Sequence, residues 1–342
     1  MQAGTDAGRP LPQQQIIAAE DVVAVYRLEE DGDASGCGVV ETETEAPEGI
    51  EEEEAMAFDA SRAVFRAFTF EDGHEVVIRE VQYHMLGYGH TVWEAAIALG
   101  AWLRQPRQAR LLRDKRVLEL GCGCALPGLA AAQCGADVTL SDMGDAGGDG
   151  QDAQPWELLA NARYNAAANS VGAGAGACPA RPRVVRIDWG DALATPDYAA
   201  RADKFPVIIG SDLLYEEKAI APLVAAICAH LAPDGIFVMM APASPDLSRT
   251  RLVEGFMEAL RATGGSVSVS RCRLVAACRF PADVEGTGGA APGSRGPCDE
   301  LDAAGGPCDA SGDSGILSTD ALQRIEFALS QRCLANANAK PG

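Results

Sequence analysis

The chain has 342 residues, 47% of them hydrophobic, which is enough apolar material for a sizeable buried core. Its 28 Lys and Arg residues against 49 Asp and Glu residues give a formal net charge of −21. Such a surface repels phosphate backbones, which disfavours a direct nucleic-acid substrate and suits a protein partner with a basic surface. No uninterrupted apolar run is long enough to span a bilayer, so no membrane association is expected.

The 11 cysteines are scattered among predicted strands, helices and loops, and an odd count in a chain of this length indicates reduced thiols. Cys122 and Cys124 are the one close pair in the sequence. Because neither a second pair nor a histidine at ligand spacing accompanies them, we predict that they pack and that no metal is bound. The N-terminus has the features of neither a secretion signal nor a transit peptide. We therefore expect a cytoplasmic or nuclear protein, and we expect a monomer.

Residues 1–57 are predicted to be a largely disordered, acidic extension. Within it, residues 16–28 show some apolar alternation, which fits an edge strand or a peripheral helix. The run 29–54 is acidic, contains glycine and is poor in aromatic residues, a composition that cannot bury enough apolar surface to fold.

Two elements precede the central glycine-rich turn. Apolar residues on either side of Asp72-Gly73 predict a β-hairpin over residues 58–81, flanking a ligand cleft. The sequence T-V-W-E then forms a capping box, which predicts a helix from Thr91 as N-cap through Leu103. Trp93 lies in the first turn, off the apolar stripe, and its spacing favours a contact with the preceding loop over a contact with a ligand.

The segment from Lys115 to Asp142 has the pattern of a strand, a glycine turn, a helix and a second strand. An apolar run predicts a buried parallel strand, which Gly121 and Gly123 end. In an open α/β sheet ligands bind beyond the carboxyl ends of the strands, so the glycines and Asp142 should share one cleft. Glycines admit a ligand close to the backbone, and a carboxylate at this place accepts hydrogen bonds from ribose hydroxyls. The segment therefore predicts a nucleoside site.

The residues around the glycines distinguish between nucleoside cofactors. A dinucleotide site needs G-x-G-x-x-G, and Leu126 stands where the third glycine would be, which disfavours an NAD(P)-dependent oxidoreductase. No Lys followed by Ser or Thr completes a phosphate-binding loop. Instead, Glu119 precedes the glycines in E-L-G-C-G, and this acidic motif resembles the seven-stranded S-adenosylmethionine-dependent methyltransferases, whose cofactor has an amino acid end and no pyrophosphate.

The rest of the chain alternates predicted strands and helices. The predicted helices cover residues 156–169, 220–231 and 252–260, and the predicted strands cover residues 184–187, 207–210, 236–240, 267–275 and 325–329. We expect an α/β fold: a Rossmann-like, seven-stranded, mostly parallel sheet with helices on both faces and an antiparallel last strand. The domain is expected to span residues 58–332, with a disordered insertion at about 281–315 and a tail at 333–342.

Polar and aromatic side chains follow the third and fourth predicted strands. Asp188 can accept a hydrogen bond from the adenine amino group and Trp189 can offer its face to the ring, the alternative being a turn with a packed tryptophan. Asp212 and Tyr215 come after the fourth strand. Methyl transfer is an in-line displacement that depends on positioning a neutral nucleophile. Asp212 can anchor an incoming amine and Tyr215 can orient it, or the two can be a helix cap and a core residue.

Five motifs, in this order, are similar to those of protein-lysine methyltransferase family 16: G-H-T-V-W-E-A-A, V-L-E-L-G-C-G, G-A-D-V-T-L-S-D, D-W-G and S-D-L-L-Y-E. The resemblance covers about residues 65–242 and implies S-adenosyl-L-methionine as cofactor and a protein as substrate. It also implies that Trp93 contacts the cofactor. The predicted cofactor-binding residues are Trp93, Glu119, Gly121, Cys122, Gly123, Asp142, Asp188, Trp189 and Ser211. The predicted catalytic residues are Asp212 and Tyr215.

The chain departs from the family pattern at Ala125, where the family usually has a third glycine. Two further stretches, L-P-G-L-A-A and C-G-A-D-V-T-L-S-D, resemble members thought to act on arginine, whereas D-L-L-Y favours lysine. We therefore expect transfer of a methyl group to a protein side chain, with the lysine ε-amine as first choice. A protein-arginine methyltransferase and a non-catalytic cofactor-binding scaffold stay open as alternatives.

Overall fold

The computed structural model of the chain describes residues 22–30, 33–47, 63–81, 88–143, 158–170, 180–194, 198–243, 247–277 and 316–328. The strands are β1 (Val22–Glu30), β2 (Asp33–Thr44), β3 (Ala63–Phe70), β4 (Glu75–Val81), β5 (Arg116–Leu120), β6 (Asp137–Asp142), β7 (Arg183–Arg186), β8 (Phe205–Ser211), β9 (Leu231–Pro242), β10 (Ser266–Ala277) and β11 (Ile316–Ala328). The helices are α1 (Glu94–Arg104), α2 (Pro106–Leu112), α3 (Leu126–Gln133), α4 (Leu158–Ala168), α5 (Asp191–Ala194), α6 (Tyr198–Arg201), α7 (Ile220–His230) and α8 (Leu247–Ala262). Short 3₁₀ turns lie at Tyr88–His90 and Glu217–Ala219.

All described strands belong to one mixed sheet in the order β4-β3-β2-β1-β10-β11-β9-β8-β5-β6-β7. The strands from β9 to β7 along this order pair in parallel, and the others pair antiparallel. Parallel neighbours need crossover connections, and α3 and α7 supply them after β5 and β8. The carboxyl ends of β5, β6, β7 and β8 consequently lie at one edge of the sheet, where the ligand cleft is predicted.

Helices cover both faces of the parallel part of the sheet, as predicted. Successive residues of a strand point to opposite faces, so Val117 of β5 joins one hydrophobic cluster with α1 and α3. Leu118 and Leu120 join a second cluster with α7 and α8. The apolar run of β5 is therefore explained by burial on two sides.

The predicted strand count and the predicted proportion of parallel strands are both wrong. The described residues hold eleven strands and not seven, and only four of their ten pairings are parallel. The antiparallel orientation of the last strand is confirmed, since β11 runs antiparallel to both β9 and β10. The difference arises because β1 to β4 extend the sheet beyond β10.

The prediction of an unfolded acidic N-terminal region is wrong for the residues that form β1 and β2. β1 is an interior strand and not an edge strand or a helix, since it lies between β2 and β10. Leu28 and Val39 are buried, and the acidic residue Glu41 accepts a 2.6 Å hydrogen bond from the Tyr26 hydroxyl and pairs with Arg66. The acidic composition of this segment indicates exposure to solvent, because composition does not show that a carboxylate such as Glu41 has hydrogen-bond and ion-pair partners in the fold.

Other parts of these predictions lie outside the described residues. This holds for residues 1–21 and 48–62, for the insertion at about 281–315 and for the tail at 333–342. The boundaries of the domain therefore stay predictions. In the described parts of the chain, no helix combines the length and the apolar character that a membrane crossing requires.

The predicted hairpin is confirmed as β3 and β4, but the predicted start of the following helix is wrong. α1 begins at Glu94 with Trp93 and not Thr91 as N-cap, and the side chain of this N-cap residue makes no capping hydrogen bond. The backbone N–H of Val92 instead donates to Glu80 Oε1 of β4 at 2.6 Å. A contact with the hairpin therefore helps to fix the entry to the helix.

Two asparagines of α4 and a third directly after it, spaced four residues apart, hydrogen-bond the outer edge of β4. Asn169 Oδ1 accepts from Val77 N at 2.9 Å and its Nδ2 donates to Val77 O at 2.7 Å. Asn165 Oδ1 accepts from Arg79 N at 2.8 Å, and the amides of Asn161 and Asn165 donate to Arg79 O at 3.1 and 3.2 Å. An edge strand leaves alternate backbone groups without partners, and these amides satisfy them. These asparagine hydrogen bonds, which we call the asparagine contacts, attach the N-terminal strands to α4, the helix that follows β6.

We expect Asn165→Ala to lower the free energy of unfolding, because it removes the buried partner of Arg79 N–H. A buried backbone group left without a partner costs roughly 1–3 kcal/mol. Ser170→Ala is the matched control, since Ser170 directly follows α4 and its hydroxyl donates back to Ala166 O of that helix at 2.6 Å, not to β4. Urea unfolding measures the free energy of unfolding of both variants. An equal decrease in the two would contradict a stabilising role for the asparagine contacts.

Candidate functional site

A cavity of about 850 Å³ opens at the carboxyl ends of β5, β6, β7 and β8. Nine of the eleven predicted site residues line it: Trp93, Gly121, Cys122, Gly123, Asp142, Asp188, Trp189, Ser211 and Tyr215. Glu119 and Asp212 are not among the lining residues. The cavity therefore lies at the strand ends where the cleft is predicted, and the individual contacts with a ligand stay predictions.

The turn after β5 has no room for side chains at its glycines. Gly121 and Gly123 have φ values of 59° and 50°, in the left-handed region that favours glycine. A Cβ on Gly121 would lie 2.7 Å from Leu213 Cδ2, and one on Gly123 would lie 2.9 Å from the Gly89 carbonyl oxygen. Ala125, at the position of the family's third glycine, adopts φ 69° at a cost of about 1–2 kcal/mol. The turn therefore has the left-handed backbone conformation at position 125 although the residue there is not glycine.

Asp142, at the end of β6, lies directly beside this turn. Its Oδ2 accepts a hydrogen bond from Gly123 N at 3.0 Å, and its Oδ1 accepts one from Met143 N at 2.8 Å. An ionised carboxylate has about four acceptor positions, so two donors do not exhaust it. The carboxylate can hold the turn and bind ribose hydroxyls at the same time.

Glu119, predicted to contact the cofactor, lies behind the glycine turn and not on the cavity lining, and the contact itself stays a prediction. Glu119 shares the strand face of Val117, so its side chain lies under α3, where Oε2 accepts a 3.0 Å hydrogen bond from Gly128 N. The residue is 1% exposed, and burial raises the pKa of its carboxyl well above the ordinary value. Its Oε1 has no hydrogen-bond partner among the described residues. Glu119 supports the helix behind the glycine turn.

The turn after β7 fits both interpretations of Asp188 and Trp189, which are a tight turn with a packed tryptophan and a contact with the base of a ligand. Asp188 Oδ1 accepts a hydrogen bond from Gly190 N at 2.9 Å, which is a tight turn, and the residue also lines the cavity. The Trp189 ring packs against Gly121, at 3.3 Å from the place of a Cβ there. An indole next to the glycine turn suits stacking with a planar base.

Asp212 is close to the cavity, but its carboxylate is bound elsewhere. Its side chain is 7% exposed, and Arg249 Nη1 of α8 donates to the two carboxylate oxygens at 3.1 and 3.3 Å. Burial raises the pKa of this carboxyl and Arg249 opposes the rise. The alternative of a helix cap is also wrong, since α7 begins at Ile220. The structure therefore does not place Asp212 as a direct anchor for an amine, and sequence spacing gave no signal for Arg249.

Tyr215 is not a core residue, since it is 44% exposed at the cavity mouth. Its ring stacks on Tyr88, with 5.5 Å between centroids and 23° between planes. Although part of the side chain is exposed, desolvation of the phenol group, with the nearby carboxylates of Asp212 and Asp142, raises the pKa of Tyr215, which stays protonated at neutral pH. Trp93 Nε1 donates to Tyr88 O at 2.9 Å, so Trp93 fixes the preceding loop and lines the cavity as well. Sequence reasoning missed Tyr88, although it directly precedes the first family motif.

The close cysteine pair is packed. Cys122 and Cys124 are buried free thiols, and burial raises the pKa of both well above the ordinary value. Across the described residues, no group of three or more His, Cys, Asp or Glu side chains is arranged to hold a metal ion.

The sheet edge, the glycine turn and the carboxylate after the second parallel strand together define a nucleoside-cofactor site. A family model described as "Lysine methyltransferase" matches residues 71–260, which is more than half of the chain. The chain belongs to the lysine methyltransferase family, whose cofactor is S-adenosylmethionine.

Several curated proteins are similar to parts of the chain. The histone-arginine methyltransferase METTL23 of Xenopus laevis is 35% identical over 131 residues, covering 38% of this chain and 47% of that protein. The EEF1A lysine methyltransferase 3 of Mus musculus is 30% identical over 189 residues, covering 55% and 69%. The chain thus spans about half the length of the Xenopus relative. Among solved structures, a SAM-dependent methyltransferase from Agrobacterium tumefaciens is 18% identical with a TM-score of 0.43, covering 73% of this chain and 66% of that one.

The residues around the cavity fit the family's cofactor. The glycine turn lines the cavity with backbone and not with side chains, the Asp142 carboxylate lies next to it, and the Trp189 ring packs against Gly121. These groups suit an amino acid end, a ribose and a planar base in turn.

We expect Gly123→Ala to weaken binding of S-adenosylhomocysteine by about tenfold or more, equivalent to about 1.4 kcal/mol. The added Cβ meets the Gly89 carbonyl, so the turn and its hydrogen bond to Asp142 must shift. Gly73→Ala is the matched control, because Gly73 also has a positive φ, of 80°, but nothing lies within 4 Å of its Cβ position. Calorimetric titration compares the two, and equal weakening would show that backbone strain alone is responsible.

We expect Arg249→Gln to make stability more sensitive to pH. Without Arg249 the pKa of Asp212 rises further above 3.8. A carboxyl with a raised folded pKa stabilises at low pH, and this contribution is lost as the pH rises through the folded pKa. The deficit relative to wild type should therefore be small at low pH, where the Asp212 carboxyl is protonated in both proteins, and should grow as the pH rises through the folded pKa, reaching roughly 1–3 kcal/mol because Arg249 is partly exposed.

Urea unfolding at several pH values measures this deficit. Arg273→Gln serves as the control, since Arg273 pairs with Glu29 at 3.5 Å on the surface and should change stability by only about 0–1 kcal/mol. Adding Asp212→Asn to Arg249→Gln should remove the pH dependence of the deficit. A deficit that is constant with pH would refute the electrostatic role of Arg249.

Proposed function

We propose that the protein transfers a methyl group from S-adenosylmethionine to the ε-amine of a lysine in a protein substrate. The observation that carries this proposal is the convergence of Gly123, Asp142, Trp189 and Tyr215 on one cavity, in a chain of the lysine methyltransferase family. When bound, the cofactor supplies a sulfonium methyl group, whose bond to sulfur breaks and leaves its electron pair on sulfur as the bond to nitrogen forms.

The chain's own residues hold and orient the reactants. The glycine turn accommodates the amino acid end of the cofactor, the Asp142 carboxylate accepts from the ribose hydroxyls, and Trp189 stacks on the base. The lysine ammonium must lose its proton before it reacts, and a desolvated site beside a sulfonium lowers its pKa. Tyr215, a neutral phenol, orients the amine. Asp212, held by Arg249, positions the loop that carries Tyr215.

A basic protein surface is the substrate that the charge favours. The formal net charge of −21 attracts such partners over a long range. One mouse relative is named for the protein EEF1A, which supports a folded protein as substrate class. We also propose that the enzyme works in the cytoplasm or nucleus, and the free thiols of the six described cysteines suit a reducing compartment.

Arginine is the second candidate acceptor. It is supported by the name of the Xenopus relative, a histone-arginine methyltransferase that is 35% identical over 131 residues. The two acceptors differ in how they are recognised, because a guanidinium binds a carboxylate through two parallel hydrogen bonds and an ammonium does not.

We expect the full chain, incubated with a cell extract and methyl-labelled S-adenosylmethionine, to label protein lysine. Tyr215→Phe should lower the initial rate by roughly tenfold or more, because the hydroxyl that orients the amine is lost. Tyr164→Phe is the matched control, since Tyr164 lies outside the cavity and its ring contact with Arg79, 3.7 Å from the ring centroid, is kept.

Acid hydrolysis and amino acid analysis of the labelled band identify the acceptor. Label in methyl-lysine supports the proposal, and label in methyl-arginine favours the second candidate. Cofactor binding without any transfer would instead leave the protein as a scaffold.

A further inference from the structure

Two tyrosines form an exposed aromatic surface at the cavity mouth, which we call the aromatic pair: Tyr88 and Tyr215. They are 54% and 44% exposed, although their rings stack on each other at 5.5 Å between centroids. Tyr88 belongs to the 3₁₀ turn before α1 and Tyr215 to the loop after β8. Large aromatic surface left exposed at the rim of a cavity is typical of a binding site.

The aromatic pair continues inward to a third ring. The Trp93 ring lies 6.3 Å from that of Tyr88, with 40° between planes, and both residues line the cavity. The hydrogen bond from Trp93 Nε1 to the Tyr88 carbonyl fixes the two relative to each other. The three rings therefore form a row along the cavity lining, with Tyr88 between Tyr215 and Trp93.

The charges around these rings favour a cation. The lining residues include three carboxylates. Glu216 pairs with Lys218 at 2.6 Å and Asp188 pairs with Arg186 at 3.2 Å, so Asp142 supplies the negative charge that these two cations do not balance. Aromatic faces are themselves electronegative and attract ammonium and guanidinium groups. A ligand that combines an apolar chain with a positive end matches both properties.

We propose that the aromatic pair is the subsite that receives the target lysine, with its methylene chain along the rings and its ammonium over their faces. This inference rests on the proposed function and assigns Tyr88 a role in substrate binding. A guanidinium would need a carboxylate fork for its full set of hydrogen bonds. The buried carboxylate beside the cavity, Asp212, is already bound by Arg249, so the subsite suits an ammonium better than a guanidinium.

Small probes test this assignment without knowledge of the substrate. n-Butylammonium represents the lysine side chain, n-propylguanidinium represents the arginine side chain, and butan-1-ol is the uncharged counterpart. Each is titrated into the full chain loaded with S-adenosylhomocysteine, and the Trp93 indole N–H signal is followed by NMR. Wild type should bind n-butylammonium roughly two- to fivefold more tightly than butan-1-ol, the range expected for an exposed cation–π contact.

Variants at Tyr88 identify the ring as the cause. Tyr88→Phe keeps the aromatic face and should keep the preference for n-butylammonium, whereas Tyr88→Leu keeps apolar bulk and should lose it. Leu111→Ala is the matched surface control, since Leu111 is 61% exposed on α2 and does not line the cavity. Because Tyr88 is exposed, these changes should leave the thermal unfolding midpoint near that of wild type.

The outcomes separate this inference from the proposed function. A preference for n-butylammonium that persists in Tyr88→Leu, or that is absent in wild type, overturns the inference even if lysine is methylated. A stronger preference for n-propylguanidinium also overturns it. Failure of the proposed function shows separately, as absent S-adenosylhomocysteine binding in calorimetry and absent methyl transfer by wild type.

Discussion

The hydrogen bond from Gly123 N to Asp142 Oδ2, 3.0 Å long, is the contact on which the site depends. Parallel pairing aligns Leu120 of β5 with Ser141 of β6, so the next residues of the two strands leave the sheet side by side. The carboxylate then fixes the turn, whose backbone lines the cavity. The same group that is suited to ribose also sets the shape of the turn expected to hold the amino acid end.

Contacts among neighbouring turns extend this arrangement across the strand ends. Asp212 has φ 48°, and the bend that it makes after β8 places Leu213 against both Gly210 and Gly121. Trp189, from the turn after β7, packs against Gly121 as well. The three turns therefore support one another, and the pair formed by Asp212 and Arg249 connects them to α8.

The parallel strands and the position of Asp142 could be predicted because they follow from local periodicity and one rule about strand ends. The burial of Glu119 could also have been predicted, since residues two apart in a strand share a face and Val117 is apolar. The partner of Asp212 could not, because Arg249 is 37 positions away and only tertiary packing brings it near. The acidic residue Glu41 indicates an exposed segment when the sequence alone is considered. It is buried in β2, and composition does not reveal its hydrogen bond with Tyr26 or its ion pair with Arg66.

The family match begins at residue 71, so β1, β2 and β3 lie outside it, yet hydrogen bonds connect them to the site. One polar side chain per strand takes part: Tyr26 donates to Glu41, Arg66 bridges Glu41 and Glu80, and Glu80 accepts from Val92 N at 2.6 Å. Val92 directly precedes Trp93, which lines the cavity. Burial raises the pKa of Glu80, and Arg66 of β3 opposes that rise. The hydrogen bond from Val92 N to the Glu80 carboxylate therefore depends on β3. The N-terminal strands thus act on the geometry of the cavity mouth, and a domain trimmed to the matched residues would lose this support.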